Sequence, residues 1–266
     1  INEPSSTYLG AGWTSCTPAQ EAAITIRHQL TMTTGLDDTN GQFDCTDAAC
    51  LTYLTEPGSR WSYYNAPYTL LDGVLEGATG QTLNSYVVAK LSNTTGITGL
   101  FVPMGYDHIF FSKARSMARF GLLAQNAGTW DGTPILSDGG YFTAMTTSSQ
   151  ALNPAYGYLW WLNGQDHYRL PGVELDLPGP LMPDAPLDVF SAMGKNGQVI
   201  NVSPATGLVV VRMGQLPDGL FVPNAYTNQI WQHLNEVICA GTGQAEQQAK
   251  THYAYPNPAT DCITLH

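Results

Sequence analysis

Hydrophobic residues recur at helical spacing through much of the first 150 residues. Apolar positions three and four residues apart form one face of a helix, and Ser or Thr just before such a run is a typical N-cap. The pattern predicts helices over residues 25–32, 68–78, 83–91 and 112–126. Thr25 and Ser112 are the expected N-caps of the first and the last helix, and Gly35 and Gly80 are the expected stops of the first two.

The periodicity changes after Pro154, where short β-branched and aromatic runs are separated by Gly, Pro and Asn. These runs predict strands over residues 156–162, 189–193, 199–202 and 208–213. Residues 226–240 return to helical spacing and are expected to form a closing helix that packs on the sheet. The pattern thus predicts an α+β fold, with a mainly helical subdomain over 1–150 and a mainly antiparallel sheet with its closing helix over 151–240.

Composition narrows the class of protein. The chain has 266 residues, of which 43% are hydrophobic and only 12% are charged, so it can bury a sizeable apolar core and is neither disordered nor a coiled coil. Asp and Glu outnumber Lys and Arg by 21 to 10, and we expect a soluble protein without electrostatic affinity for nucleic acid or anionic lipid. No run approaches the roughly 20 apolar residues that a membrane-spanning helix needs.

Two of the five cysteines, Cys45 and Cys50, are close enough in sequence to close a small loop. In an oxidising compartment they are disulfide candidates, and the alternative is two free thiols. Residues 37–47 around them are rich in Asp and Asn. Their spacing matches no known calcium loop, so a solvated turn is the favoured interpretation and no metal site is predicted.

A Tyr-x-Asn triplet, Tyr63-Tyr64-Asn65, stands just before a predicted helix and shortly after Pro57-Gly58. A tyrosine has a pKa of about 10 and can take a proton from a hydroxyl only where nearby cations favour its phenolate. An asparagine side chain carries a donor and an acceptor and can hold an amide or ester carbonyl. The alternatives are a tyrosine that packs in the core and an asparagine that caps the helix.

Together with residues 24–36 and 114–121, this segment resembles the serine β-lactamase-related hydrolases, which include class C β-lactamases, D-alanyl-D-alanine carboxypeptidases, nylon-oligomer hydrolases and esterases. The blocks occur in the order of that family, and the resemblance covers roughly residues 5–240. It implies a β-lactamase/transpeptidase-like fold, hydrolysis through an acyl-enzyme and no cofactor. It also implies that Tyr63 is catalytic and that Asn65 binds the substrate.

The third element of that family is a Lys-Thr-Gly-like triplet on a strand beside the cleft, for which this chain offers Lys195-Asn196-Gly197, followed by Gln198. The resemblance implies that Lys195 supplies a cation near the catalytic tyrosine, that Asn196 and Gly197 line the substrate site, and that the backbone N–H of Gln198 donates to the oxyanion. Two alternatives stay open. A shift of one gap would place residues 192–194 on the motif, and Lys-Asn-Gly is also typical of a hairpin turn.

The nucleophile of the family is absent from this sequence. Relatives carry Ser-x-x-Lys on a helix upstream of the first block, where helical spacing places the lysine amine beside the serine hydroxyl. No serine of this chain has a lysine three residues later. We expect a chain truncated at its N-terminus that is inactive by this mechanism on its own, and the alternative is a degenerate, non-catalytic surface binding module. The substrate is expected to be a small molecule or a peptide, with ester, amide and β-lactam carbonyls all open.

Residues 241–254 read as a Gln-, Ala- and Gly-rich linker, and residues 255–266 resemble the opening strand of the type IX secretion C-terminal sorting domain of Bacteroidetes. This resemblance implies a bacterial protein that is secreted or held at the outer surface, with the secretion machinery as a partner. It also implies a chain that continues beyond the last residue. The alternative is a Pro-rich turn at a frayed terminus.

Overall fold

The computed structural model describes residues 1–216 and 222–242. The helices in these residues are α1 Ser6–Leu9, α2 Pro18–Ala23, α3 Ile26–Leu30, α4 Asn65–Thr69, α5 Leu71–Thr79, α6 Leu83–Val87, α7 Asn93–Thr95, α8 Ala114–Gln125, α9 Gly139–Met145 and α10 Asn224–Thr242. The strands are β1 Gly99–Met104, β2 Asp107–Ser112, β3 Thr129–Trp130, β4 Thr133–Pro134, β5 Trp161–Leu162, β6 His167–Tyr168, β7 Leu177–Pro178, β8 Phe190–Gly194, β9 Gln198–Ser203 and β10 Leu208–Arg212. The predicted α+β class is confirmed.

The largest sheet has four antiparallel strands in the order β10-β9-β8-β5. Val202 on β9 pairs with Phe190 on one side and with Val209 on the other. Successive residues of a strand face opposite sides of a sheet, and Val199 and Ile200 accordingly enter two different hydrophobic clusters. Because apolar side chains cover both faces, β10 carries a continuous apolar run instead of an alternating one.

The two faces of the sheet are covered by different helices. Helix α8 packs closely on one face, where a Cβ at Gly121 would lie 2.4 Å from Val209 Cγ1 and 3.0 Å from Ile200 Cγ2. Protein interiors leave no space for an additional methyl group at such distances. On the other face, Trp231 of α10 is fully buried in the same cluster as Trp61. The predicted packing of a closing helix on the sheet is therefore found.

Helix boundaries in the first half follow the local sequence. Thr25 accepts the backbone N–H three residues on in a capping box at the start of α3. Gly80 ends α5 in the left-handed conformation with a φ of 67°. The predicted helix over 68–78 is divided between α4 and α5 at Leu70, and the one over 83–91 continues from α6 into a π-helical turn.

The sequence pattern does not predict the hairpin of β1 and β2, which interrupts the region expected to be mainly helical. Gly105 turns the chain with a φ of 67°, and the register pairs Gly99 with Ser112. The Ser112 hydroxyl donates to Thr98 O at 2.6 Å, and the residue before α8 is Lys113. The predicted N-cap at Ser112 is wrong, because pairing with β1 holds this serine in a strand.

The closing helix α10 extends the predicted helix by two residues at each end. Among the described residues, none of the helices is both long and apolar enough to cross a lipid bilayer. Most of the predicted linker, residues 243–254, and the predicted sorting segment, residues 255–266, lie outside the described residues. The division of the chain into units at residues 150 and 240 stays a prediction.

The close approach of α8 to the sheet predicts a specific sensitivity at Gly121. Gly121→Ala adds a methyl group to a filled contact, which typically lowers the free energy of unfolding by about 1–3 kcal/mol. Gly139→Ala in α9 is the matched control, because a Cβ there meets nothing within 4 Å and a compatible alanine stabilises by about 0.4–1 kcal/mol. Urea unfolding measures both values, and equal stability of the two variants would contradict the contact.

Candidate active site

Tyr63 lies in a cluster of aromatic rings between the residues that precede α4 and the four-stranded sheet. Its ring stacks on Trp161 of β5 with centroids 5.7 Å apart and an interplanar angle of 15°. The rings of Tyr156 and Tyr68 meet it edge-on at 6.1 and 6.2 Å, and that of Trp61 lies 6.5 Å away. Because each ring packs against several others, the core fixes the position of this phenol.

Burial raises the pKa of Tyr63 to about 12, and a hydrogen bond with Tyr156 opposes this only in part. Burial also raises the pKa of Tyr64 to about 12. The phenol of Tyr63 is therefore protonated at neutral pH. The sequence suggested a cation that favours the phenolate, but the interactions that set the pKa of Tyr63 within the described residues include no cation.

Asn65 is the first residue of α4, and its side chain does not cap the helix. Its Nδ2 donates to Asp44 Oδ1 at 2.7 Å. Asp44 precedes Cys45, which the structure joins to Cys50 by a disulfide with an S–S distance of 2.09 Å. The amide is thus held by the residue that directly precedes the disulfide loop. No hydrogen bond joins Asn65 Oδ1 to another described residue.

Lys195 lies in the tight turn between β8 and β9, and its side chain is exposed. Asn196 in the same turn has a φ of 63°, and Gly197 has a φ of 81°. The hairpin turn that Lys-Asn-Gly favours is therefore present, whereas residues 192–194 of the shifted alignment lie in β8. The binding role of Lys195 stays a prediction.

The end of this turn is tied to the chain that follows β10. Gly197 O accepts from Arg212 Nη1 at 2.8 Å, and a Cβ at Gly197 would lie 2.5 Å from that Nη1 and from Leu216 Cγ. Gln198 begins β9, and its Nε2 donates to Gly214 O at 2.7 Å. These contacts require a glycine at position 197 and fix the turn against β10.

Two carboxylates, Asp44 and Asp107, interact electrostatically and form an acidic pair. Asp107 begins β2 and accepts from Thr69 Oγ1 at 3.2 Å. Burial and the nearby charge of Asp44 raise the pKa of Asp107, while the hydrogen bond from Thr69 and the charge of Lys195 lower it in part. In this acidic pair, Asp44 holds Asn65 by a hydrogen bond, and Asp107 is influenced by the charge of Lys195.

A cavity of about 450 Å³ opens beside Tyr63. Its walls come from residues 38–39, 60–63, 170 and 172–174. Neither Asn65 nor Lys195 is among the described residues that line it. Tyr63 therefore borders the cavity on one side, and its ring contacts that of Tyr68 on another side. The pKa of Tyr68 is raised by burial and by the charges of Tyr63, Asp107 and Asp44.

The acidic residues of the loop 37–47 bind protein groups. Asp37 Oδ1 accepts from the Thr39 backbone at 2.9 Å, and Asp47 Oδ2 accepts from the Tyr106 hydroxyl at 3.0 Å. Asp38 accepts from Arg60 and from a serine hydroxyl. In the part of the chain that the structure describes, no group of three His, Cys, Asp or Glu side chains is placed to hold a metal ion.

Sequence reasoning missed the charged residues of the cavity. Arg60 Nη1 donates to Asp38 Oδ1 at 2.6 Å, and Arg60 Nε donates to Glu174 Oε1 at 2.5 Å. These partners are separated by 22 and 114 residues of sequence, so no local pattern connects them. The one local signal is the position of Arg60 three residues before Tyr63.

Comparison with known proteins identifies the fold. A family model described as Beta-lactamase matches residues 1–230, whereas none of the curated proteins compared matches the sequence. A Bacillus anthracis protein described as a candidate 6-aminohexanoate-dimer hydrolase superposes with a TM-score of 0.63 at 16% identity, over 89% of this chain and 67% of the other. A penicillin-binding protein homologue from Caulobacter crescentus gives 0.60 at 14% identity, over 85% and 76%.

A family VIII carboxylesterase gives a TM-score of 0.59 at 15% identity, over 88% of this chain and 76% of the other. At these identities the likeness shows a common fold. The predicted β-lactamase/transpeptidase-like fold is confirmed.

The raised pKa of Tyr63 predicts a loss of stability at alkaline pH. An unfolded tyrosine titrates near a pKa of about 10, and folded Tyr63 titrates near 12. Because the folded pKa is the higher of the two, the stabilising contribution is complete below the unfolded pKa and is lost as the pH rises through the folded one. The two pKa values differ by two units, which corresponds to a loss on the order of 2 to 3 kcal/mol.

Urea unfolding between about pH 9 and pH 12 measures this loss. We expect the free energy of unfolding to fall more steeply for the wild type than for Tyr63→Phe, which has no phenol to ionise at this position. Parallel pH profiles for the two proteins would show that Tyr63 titrates as in the unfolded chain.

Proposed function

Because the chain belongs to the beta-lactamase family, we propose that it is a serine hydrolase that forms an acyl-enzyme on an ester, amide or β-lactam carbonyl. The observation that supports this most is the position of Tyr63, which borders a cavity of about 450 Å³ and is followed by Asn65 at the start of α4. A phenol beside a cavity can move a proton, and an amide two residues further along the chain can orient a carbonyl; acyl transfer needs both functions.

Tyr63 passes protons as a neutral phenol in this mechanism. Its pKa of about 12 leaves it protonated at neutral pH. The serine oxygen attacks the carbonyl carbon, and the serine proton passes through the lysine and Tyr63 to the leaving group. The bond between carbonyl carbon and leaving group then breaks. Water attacks the acyl-enzyme, and its proton returns to the serine along the same path.

Asn65 and the turn at Lys195 orient the acyl group. Because Asn65 Nδ2 is engaged by Asp44, its Oδ1 accepts an N–H of the substrate. Lys195 provides positive charge at this edge of the site, shared with Asp107. The residues Asn196 and Gly197 flank the acyl group, and the backbone N–H of Gln198 donates to the developing oxyanion.

The proposal requires a serine and a lysine that residues 1–266 do not provide as Ser-x-x-Lys. The mechanism therefore takes both from polypeptide outside this sequence. A Ser-x-x-Lys motif in the reading frame upstream of Ile1 supports hydrolysis. The second candidate function is a non-catalytic surface binding module with the same fold, and it is favoured by the lack of Ser-x-x-Lys within residues 1–266. A reading frame without this motif upstream of Ile1 would support that function.

The substrate is a small molecule or a peptide with an acyl carbonyl. The structural neighbours include proteins described as a 6-aminohexanoate-dimer hydrolase and as a carboxylesterase. These descriptions correspond to amide and ester hydrolysis by proteins of the same fold. No cofactor is needed for this chemistry. Export by means of residues 255–266 is part of the same proposal.

Tyr63→Phe tests the proton transfer in the full-length protein. We expect kcat/KM for a 4-nitrophenyl ester, a chromogenic cephalosporin or a D-alanyl peptide, whichever is hydrolysed, to fall by about 10²–10⁴-fold, because general acid–base catalysis contributes that much. The loss of one buried hydrogen bond, to Tyr156, lowers the free energy of unfolding by only about 1 kcal/mol. The variant therefore remains folded while its rate falls.

Tyr141→Phe is the matched control, since the ring of Tyr141 contacts Tyr158 at 5.7 Å and does not line the cavity. We expect its kcat/KM to stay within about twofold of the wild type. Equal activity of Tyr63→Phe and Tyr141→Phe would remove Tyr63 from the mechanism.

A further inference from the structure

The guanidinium of Arg212 binds the backbone of two separate loops. Arg212 is the last residue of β10. Its Nη1 donates to Asn196 O at 3.2 Å and to Gly197 O at 2.8 Å, in the turn between β8 and β9. Nη1 also donates to Gly214 O at 2.8 Å, and Nη2 donates to Gln215 O at 2.7 Å. One cation thus holds four carbonyl groups, two from each loop.

Arg212 has no carboxylate partner among the residues that the structure describes. None of the ion pairs within residues 1–216 and 222–242 includes it. Its Cζ lies over the ring of Tyr226, 5.1 Å from the centroid, and such a ring attracts a cation without accepting its N–H groups in the plane of the fork. The N–H groups of Arg212 are therefore used on backbone carbonyls, where a charged donor binds about twice as strongly as a neutral one.

The contact with Gly197 O fixes the direction of a backbone N–H. The carbonyl of Gly197 and the N–H of Gln198 belong to the same peptide unit, which is planar and trans, so the two groups point in opposite directions. A donor held 2.8 Å from Gly197 O therefore sets the plane of this unit and the direction of the Gln198 N–H. The charged donor also polarises the peptide group, which strengthens its N–H as a donor.

The backbone of this turn is one that few residues adopt. Asn196 has a φ of 63°, in the left-handed region that is unfavourable for a residue with a Cβ. The side chain of Gln198 binds the same loop after β10, where its Oε1 accepts from Gly214 N at 3.1 Å. The contacts of Arg212 with Asn196 O and Gly197 O hold the turn in this conformation against that loop.

We propose that Arg212 is a positioning residue that aims the backbone N–H of Gln198 at the oxyanion of the reacting acyl group. The inference rests on the proposed hydrolase function and adds to it a residue that touches neither the substrate nor the reacting atoms. An oxyanion donor stabilises the transition state only when it is held at hydrogen-bond distance from the place where the charge develops. Arg212 therefore acts on kcat through the orientation of the turn.

Backbone ¹⁵N relaxation of the full-length protein measures this orientation without reference to activity. We expect the order parameter of the Gln198 N–H to fall from about 0.85, the value of a rigid backbone, to about 0.6 or below in Arg212→Lys. A lysine keeps the positive charge but presents a single ammonium in place of the planar fork, so it cannot hold four carbonyls at once. An unchanged order parameter would overturn the inference.

Arg27→Lys is the matched control. Arg27 Nη2 donates to Ser149 O at 3.4 Å, and its Cζ lies 5.7 Å from the ring centroid of Tyr158. Arg27 thus makes the same two kinds of contact, with a carbonyl and with a tyrosine ring, and neither partner belongs to the turn. We expect this variant to leave the order parameter of Gln198 at its wild-type value. An equal fall in both variants would show a general loosening of the chain and would contradict a specific role of Arg212.

Steady-state kinetics of the full-length protein test the effect on the oxyanion, with whichever of the 4-nitrophenyl ester, the cephalosporin and the D-alanyl peptide the wild type hydrolyses. We expect Arg212→Lys to lower kcat by about 10- to 100-fold and to leave KM within about twofold, because an oxyanion donor acts mainly in the transition state. Arg27→Lys should stay within about twofold of the wild type in both constants. A raised KM at unchanged kcat would assign Arg212 to substrate binding and would refute the inference.

Failure of the proposed function and failure of this inference give different results. If the wild type hydrolyses none of the substrates, the proposed function fails, and the order parameter still decides whether Arg212 holds the Gln198 N–H. If the wild type is active and Arg212→Lys is equally active, the function stands and the inference is wrong. Should Arg212→Lys not fold, Tyr226→Leu removes the ring beside the guanidinium and leaves its carbonyl contacts. We expect smaller changes of the same kind in this variant, and wild-type values of the order parameter and kcat would then overturn the inference.

Discussion

The stacking of Tyr63 on Trp161 is the contact on which the candidate site depends. It joins the segment before α4 to strand β5 at the edge of the sheet, with ring centroids 5.7 Å apart. Tyr156 and Trp61 complete the cluster, and aromatic side chains of this size bury on the order of 150–250 Å² each. The burial that places the phenol also raises its pKa, because the phenolate loses its hydration. Burial in the aromatic cluster therefore sets both the position of the Tyr63 phenol and its raised pKa.

The site has an aromatic side and an acidic side, and Tyr68 lies between them. Its ring contacts Tyr63 at 6.2 Å, while its pKa is raised by burial and by the charges of Tyr63, Asp107 and Asp44. The charge of Lys195 lowers the pKa of Asp107 in part, whereas burial and the hydrogen bond with Tyr156 set the pKa of Tyr63. The cation that activates a serine nucleophile is thus a separate group from Lys195 in the proposed mechanism, and the Ser-x-x-Lys lysine has that role.

Sequence reasoning succeeded where local preferences and tertiary contacts agree. Strands β8 to β10 and the caps at Thr25 and Gly80 follow from periodicity and from side-chain chemistry within a few residues. The prediction of an N-cap at Ser112 failed because its strand partner, Gly99, is 13 residues away and its hydroxyl donates to Thr98 O. The hairpin that contains it also includes Pro103, which argues against a strand in general but is tolerated in a two-stranded ribbon with open edges. The family resemblance predicts Tyr63 and Asn65 as site residues, whereas Arg60, Asp38 and Glu174 meet only through the fold.

Tyr63 and Glu174 differ in how firmly the fold holds them. Tyr63 is held by buried rings, so a change in its surroundings disturbs the core cluster. Glu174 belongs to an irregular segment between β6 and β7, and its side chain is largely exposed. Loop residues vary at low cost in stability, whereas core residues do not. A charge at position 174 can therefore change without moving the phenol, because the two side chains are held by different parts of the fold.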